Sequence, residues 1–366
     1  MRSILLRGAA LLGALVSAAP VHNRQVDLEA ISEVPRLVIY YQTTHDSDGL
    51  PISMLPLVTE KHIALTHLIV CTFHIHSDGT IHLNDFPPDA PLFSTLWNET
   101  RVMQSAGIKV MGMVGGAAAG SFHSSTLDGN TTTFENAYSL LHNAIATYNL
   151  DGMDLNVEEA MSQAGITRLV QRLRADFGPD FIITQAPVAN ALMGTGTRNL
   201  SGFDYAELER TVGEDIAFYN AQFYNGFGDM RSGRHYDRIM DAGWRPSKVV
   251  IGQLTSPANG GGFVPPAQLN ATIRALRQKY GEIGGVMGWE YFNSEPGGPR
   301  EPWRWAQVMT EILRPDGVPM LMIAEGTAEA LNRAWIVSAI AGAGVAGVDE
   351  LSGLTPTVNY MSMVNS

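Results

Sequence analysis

The chain has 366 residues, 45% of them hydrophobic and 16% charged, which fits one large globular domain. Its 36 acidic against 24 basic side chains leave a formal net charge of −12. That balance excludes nucleic acid and anionic membrane as main partners, because both attract basic patches. Cys71 is the only cysteine, so no intrachain disulfide can form and stability must come from a large core.

In chain order, Arg2 and Arg7 precede an apolar run from Ala9 to Val16, and Val16-Ser17-Ala18 offers small residues at a cleavage point. Residues 1–18 therefore read as a secretory signal peptide, followed by an N-terminal segment over 19–35. The run is too short to span a membrane. Sequons at Asn98, Asn130, Asn199 and Asn270 agree with a secreted, extracellular glycoprotein without a membrane anchor.

Apolar, β-branched or aromatic runs then recur at 37–42, 67–73, 108–114, 150–157, 181–187, 216–224, 248–254 and 283–289. Helix-like segments separate them, among them Glu99–Ala106, Thr133–Tyr148, Gly165–Phe177 and Pro266–Tyr280. Leu169, Leu173 and Phe177 fall at helical spacing, as a helix packed on a sheet requires. Eight strand-then-helix units predict an α/β fold with a parallel sheet closed as a (β/α)8 TIM barrel over 36–313. An open doubly wound sheet is the competing architecture. The barrel is favoured because polar residues gather at the C-terminal ends of several runs, the end where barrels carry their chemistry.

Residues 314–366 form a short C-terminal extension with a predicted helix over Ala324–Ile340. Gly342 to Gly347 matches the letters of a dinucleotide-binding loop, but too little chain follows for the helix and second strand that such a site needs. A connector is the better reading. The tail lacks the hydrophobic stretch of a lipid-anchor signal, and the sequence assigns the extension no role.

The chemistry concentrates in Asp151-Gly152-Met153-Asp154-Leu155-Asn156-Val157-Glu158. As a strand, this segment puts Met153, Leu155 and Val157 on one face and Asp154, Asn156 and Glu158 on the other. A polar row of this kind is costly in a core unless it lines a site. Glu158, at the strand's C-terminal end, suits a general acid. Glycoside hydrolysis usually needs a second carboxylate, and Asn156 cannot serve as one. A substrate whose own 2-acetamido oxygen attacks the anomeric carbon removes that need.

Asp151–Glu158 resembles the DxxDxDxE motif of glycoside hydrolase family 18. Met113-Val114-Gly115-Gly116 is similar to the family's SxGG segment, with Met113 in place of its serine. Gln222-Phe223-Tyr224-Asn225 and Gly284-Gly285-Val286-Met287-Gly288-Trp289 resemble its sixth and last strands. Within the family, Tyr40–Asp46, His82–Pro88 and Gly288–Asn293 resemble secreted fungal endo-β-N-acetylglucosaminidases of the Endo T type.

The resemblance implies cleavage between the two core N-acetylglucosamines of N-glycans, high-mannose ones preferred, by a monomer that needs no cofactor or metal. It implies Glu158 as acid and then base, with Asn156, Asp154 and Tyr224 as the other catalytic residues. Trp289 would form the floor beneath the sugar to be cleaved, and Gln222, Tyr40, Phe73, Gly115, Gly116, Asn225 and Glu290 would meet the substrate. Asn156 departs from the family's aspartate and brings no negative charge, so hydrolysis is expected to be weakened. Family 85 endoglycosidases use asparagine at that place, so the departure does not imply an inactive protein. A chitinase and a catalytically impaired, lectin-like glycan binder are the alternatives.

Other features read as structural. Cys71 sits in an apolar strand and is expected to be a buried, inert thiol. His74 and His76 lack a third ligand at metal-binding spacing and read as a polar rim. Val114–Gly120 lacks the Gly-Lys-Ser/Thr ending of a phosphate loop and reads as close backbone approach. Gly260-Gly261-Gly262 reads as a loop, and at least one of Trp303 and Trp305 as core.

Overall fold

The computed structural model describes residues 34–194, 196–315, 317–323, 325–341 and 359–361. The leader-like residues 1–18 and the Gly342–Gly347 segment lie outside them. Eight parallel strands close into a barrel: β1 (Arg36–Tyr41), β2 (His67–Ile75), β4 (Lys109–Gly116), β5 (Gly152–Val157), β6 (Ile182–Gln185), β7 (Phe218–Gln222), β8 (Val249–Leu254) and β9 (Gly285–Trp289). Pairing of β1 with both β2 and β9 completes the ring, so the open sheet is excluded. The short strand β3 (Ile81–Leu83) pairs antiparallel with β2 as a hairpin at the rim.

Strand alternation divides the apolar side chains into two sets. Val38, Tyr40, Ile69, Met111, Met113, Val250 and Met287 fill the barrel interior, whereas Leu37, Leu68, Val110, Leu155 and Ile251 pack outward under the helices. At the N-terminal mouth, His67 meets Phe218 edge-on at 5.1 Å, and the Arg36 guanidinium lies 4.6 Å above the same ring. Burial there pushes His67 down to about 3, so it packs as a neutral ring.

Helices form where periodicity and caps coincide. Asn130 accepts from Thr133 N–H to start Thr131–Tyr148, and left-handed Asn149 ends it. Ser162 accepts from Gly165 N–H to start Gln163–Phe177, which buries Leu169 and Leu173 as its spacing predicts. The helix Pro266–Tyr280 follows its expected bounds, and Trp305 of Trp303–Leu313 is buried while Trp303 is half-buried. In the extension, a helix spans Glu325–Ala341 and Lys61 pairs with Glu325 at 3.6 Å. A two-stranded pairing of Val318–Leu321 with Asn359–Met361 has no counterpart in the sequence reading. Among the described residues no helix is long and apolar enough to cross a membrane.

Candidate active site

The closed ring brings the C-terminal ends of β1, β5, β7 and β9 around one opening. On β5, Asp154 and Asn156 point inward and are buried, while Glu158, just past the strand, is partly open. Glu158 Oε1 accepts from Asn156 Nδ2 at 3.0 Å and from Gln222 Nε2 at 3.2 Å. The same Gln222 amide donates to Asn156 Oδ1 at 3.3 Å and to the Ala186 carbonyl at 2.9 Å. Two amides thus hold one oxygen of Glu158, and among the described residues no protein group hydrogen-bonds the other.

Asp154 has a different setting. Its Oδ2 accepts from the Tyr40 hydroxyl at 2.7 Å, and its Oδ1 from Thr184 Oγ1 at 2.5 Å and Asn220 Nδ2 at 3.2 Å. Complete burial raises its pKa, against the pull of those three donors. Both oxygens are committed to protein groups, so Asp154 does not offer a second reachable carboxylate.

Tyr224 is buried at the end of β7, and among the described residues nothing hydrogen-bonds its hydroxyl. Burial first, then the charges of Glu158 and Asp154, push the phenol well above its usual value, so it remains a donor. Trp289 is half-buried at the end of β9, with its ring 5.6 Å from that of Tyr40 at 58°. Gly116, at φ +88°, passes beside this cluster: a Cβ there would sit 3.8 Å from Asn156 Nδ2. Gly115 serves packing, since a Cβ at φ +99° would fall 2.5 Å from the Asn156 carbonyl and 2.3 Å from Phe122. The glycine-rich stretch is therefore a close backbone approach, and Glu159 fastens its far end through Gly120 and Phe122 N–H.

The structure gathers Tyr40, Asp154, Asn156, Glu158, Gln222, Tyr224, Trp289 and Gly116, while Gly115, Phe73, Glu290 and Asn225 are taken up by packing or by holding loops. Phe73 is a correction. The β2–β4 register slips between Val70 and Phe73, and Phe73 packs outward on Trp97 at 6.4 Å, fully buried. Thr72 faces the cleft instead, its methyl 4.0 Å from where a Gly116 Cβ would lie. Glu290 accepts from Gln42 and Thr43 N–H and from Thr43 Oγ1, so it fastens the loop after β1. Asn225, left-handed at φ 53°, accepts from Gly261 N–H and pins the glycine loop after β8. Thr184 and Asn220 were missed, although Asn220 alternates with Gln222 and Tyr224 along the apolar run 216–224 and could have been read from that spacing.

Cys71 is buried and its thiol is pushed well above the usual range by burial. Among the described residues no three metal-ligating side chains converge.

A barrel with one reachable carboxyl at its carboxyl-terminal mouth, held by amides and faced by a tyrosine hydroxyl and a tryptophan, belongs to the carbohydrate-cleaving class. The model of glycosyl hydrolases family 18 matches residues 36–256, and the chain belongs to that family.

A fungal endo-β-N-acetylglucosaminidase of family 18 is 62% identical, with 77% of this chain and 99% of that one covered and a TM-score of 0.76. The chitinase ChiC from Aspergillus fumigatus is 48% identical, with 75% and 98% covered and a TM-score of 0.69. Chitinase 2 of Rhizopus oligosporus is 29% identical over 203 residues, 51% of this chain. The chain spans 34% of that relative's length.

Proposed function

We propose that the protein is an endo-β-N-acetylglucosaminidase that cleaves the β-1,4 bond between the two core N-acetylglucosamines of N-glycans, high-mannose ones preferred. The likeness to a fungal enzyme of that name over nearly the whole of that enzyme supports the substrate. The observation that carries the mechanism is the occupied state of Asp154. With both its oxygens bonded, Glu158 alone is left to exchange a proton with substrate, as substrate-assisted retaining hydrolysis requires.

In this reading, Glu158 protonates the departing sugar oxygen while the substrate's acetamido oxygen attacks the anomeric carbon from the other side. The Tyr224 hydroxyl donates to the acetamido group, and Asn156 Oδ1 accepts its N–H. Trp289 packs against the C–H face of the sugar. Glu158 then takes a proton from the water that opens the oxazolinium, restoring the retained anomer. Asn156 supplies no negative charge to that cation, so hydrolysis is weakened and transfer to a sugar acceptor is relatively favoured. The leader-like residues 1–18 and the four sequons support action outside the cell.

The test is the intact mass of a high-mannose glycoprotein after incubation with the protein, beside a Glu158→Gln control. A product retaining one N-acetylglucosamine, absent with the control, is expected. Chitinase activity is the second reading, favoured by the Rhizopus and Aspergillus relatives. Turnover of N-acetylglucosamine oligomers with no change in the glycoprotein would select it. Binding of glycans without turnover, equal in Glu158→Gln, would select a lectin.

A further inference from the structure

The run Gly260-Gly261-Gly262, which the cleavage chemistry leaves unused, belongs to a loop that joins two residues of the site. Tyr224 follows β7 and Trp289 ends β9, and β8 is the strand between them in the ring. The loop that leaves β8 can therefore reach both. On one side, Asn259 Nδ2 donates to the Trp289 carbonyl at 3.0 Å and to Thr255 Oγ1 at 3.2 Å. Its Oδ1 accepts from Asn293 Nδ2 at 2.6 Å, so the amide is held at both ends. On the other side, Gly261 exchanges two hydrogen bonds with Asn225. Its carbonyl accepts from the Asn225 N–H at 2.7 Å, and its N–H donates to Asn225 Oδ1 at 2.8 Å. Asn259, Gly260 and Gly261 thus run from the backbone of Trp289 to that of Tyr224 and Asn225.

The glycines let the chain pass this closely. Gly260 at φ +147° and Gly262 at φ +95° hold conformations that other residues avoid. A Cβ at Gly260 would run into Asn225 Oδ1, and one at Gly262 would lie 3.3 Å from Tyr224 Cα. Gly260 and Gly261 are nevertheless exposed, and ordering consecutive glycines in an exposed loop is costly in chain entropy. The bonds to Asn225 and Trp289 offset that cost. Both residues that the loop joins depend on their backbone for position. Among the described residues nothing hydrogen-bonds the Tyr224 hydroxyl, and Trp289 is half-buried with its ring tilted 58° against Tyr40.

We propose that Asn259–Gly261 is a strap that sets the separation between Tyr224 and Trp289, with Asn225 and Asn259 as positioning residues of the cleavage site. The inference rests on the reading above, in which the Tyr224 hydroxyl donates to the acetamido group of the sugar whose C–H face lies on Trp289. Two groups that act on one pyranose must keep a fixed spacing, and a misplacement of about 1 Å can lower a rate on the order of 100-fold. The strap works through the backbone beside the two side chains and leaves the side chains themselves free to meet the sugar.

The test is a double-mutant cycle on kcat, run with the full chain on a high-mannose glycopeptide. Asn225→Gly suits the left-handed backbone at φ 53° and removes only the acceptor for the Gly261 N–H. It is expected to lower kcat about tenfold while KM changes less than about twofold, and Asn225→Asp, which keeps the acceptor, should recover most of the loss. In a Tyr224→Phe background, Asn225→Gly should cost less than about twofold, because no hydroxyl remains to be placed. A purely structural role would give the same loss in both backgrounds. That result, no loss in the native background, or equal impairment by Asn225→Asp would overturn the strap. Should Asn225→Gly fail to fold, hydrogen exchange in the native chain decides. The Gly261 N–H is expected to exchange far more slowly than an unbonded exposed amide, and exchange at the open-chain rate would mean that nothing holds the strap. If the protein cleaves only N-acetylglucosamine oligomers, the endoglycosidase reading fails separately, and the same cycle on those oligomers decides the strap. If it cleaves neither, the two fall together.

Discussion

Asn156 Nδ2 donates to Glu158 Oε1 across 3.0 Å, so a neutral amide faces the carboxyl where the family pattern has an acid. The same Asn156 accepts from Gln222 at 3.3 Å through Oδ1, which retains a lone pair for a substrate N–H. The position is organised for orientation, and what it lacks is charge.

Asn156→Asp should therefore raise the hydrolytic rate. A charge-assisted bond is roughly twice as strong as a neutral one, and in a water-poor site the difference amounts to ~2–4 kcal/mol, or roughly 30- to 1,000-fold. The measurement is kcat for release of the high-mannose oligosaccharide from a glycopeptide. An unchanged or lower rate, with the fold intact, would show that the missing charge at this position does not limit hydrolysis.

Tyr224→Phe separates catalysis from stability. No described protein group bonds the hydroxyl, so its removal leaves no unpaired partner and the melting temperature should stay within a few degrees. The rate should fall about 10- to 1,000-fold, as expected when one donor to a developing charge is lost. A large drop in stability with intact specific activity would reverse the assignment and make the hydroxyl structural.

Glu99 sets a pH dependence away from the site. It is buried in the helix Ser94–Ser105, where it accepts from Ser53 Oγ at 2.8 Å and Met54 N–H at 2.7 Å. Burial outweighs those donors and raises its pKa from the ordinary 4.5 to about 7. The folded state thus binds this proton more tightly than the unfolded one. Its contribution is fully present below about 4.5 and is lost as pH rises to about 7, a change of ~3 kcal/mol or less. Urea unfolding across that window should show the slope in the native chain and a flatter line in Glu99→Gln. Parallel lines would mean that another group carries the dependence.

Much of the site could be read in the sequence because strand alternation is a local property of extended backbone. It puts Asp154, Asn156 and Glu158 on one face whatever their partners, and eight strand-then-helix runs are enough to predict the barrel. Periodicity and turn residues likewise located the helices Thr131–Tyr148 and Pro266–Tyr280 to within two residues. Tertiary structure decided everything that depends on register and closure. The slip between Val70 and Phe73 sends Phe73 outward and Thr72 toward the cleft, a reversal that no local pattern encodes. Asp154 owes its setting to Tyr40, Thr184 and Asn220, which come from three other strands and meet only once the ring is closed. Glu290 and Asn225 lie beside the cleft in sequence, yet their oxygens hold loops. The sequence thus determined which faces carry polar groups, and closure of the barrel determined which of those groups are left free to meet a substrate.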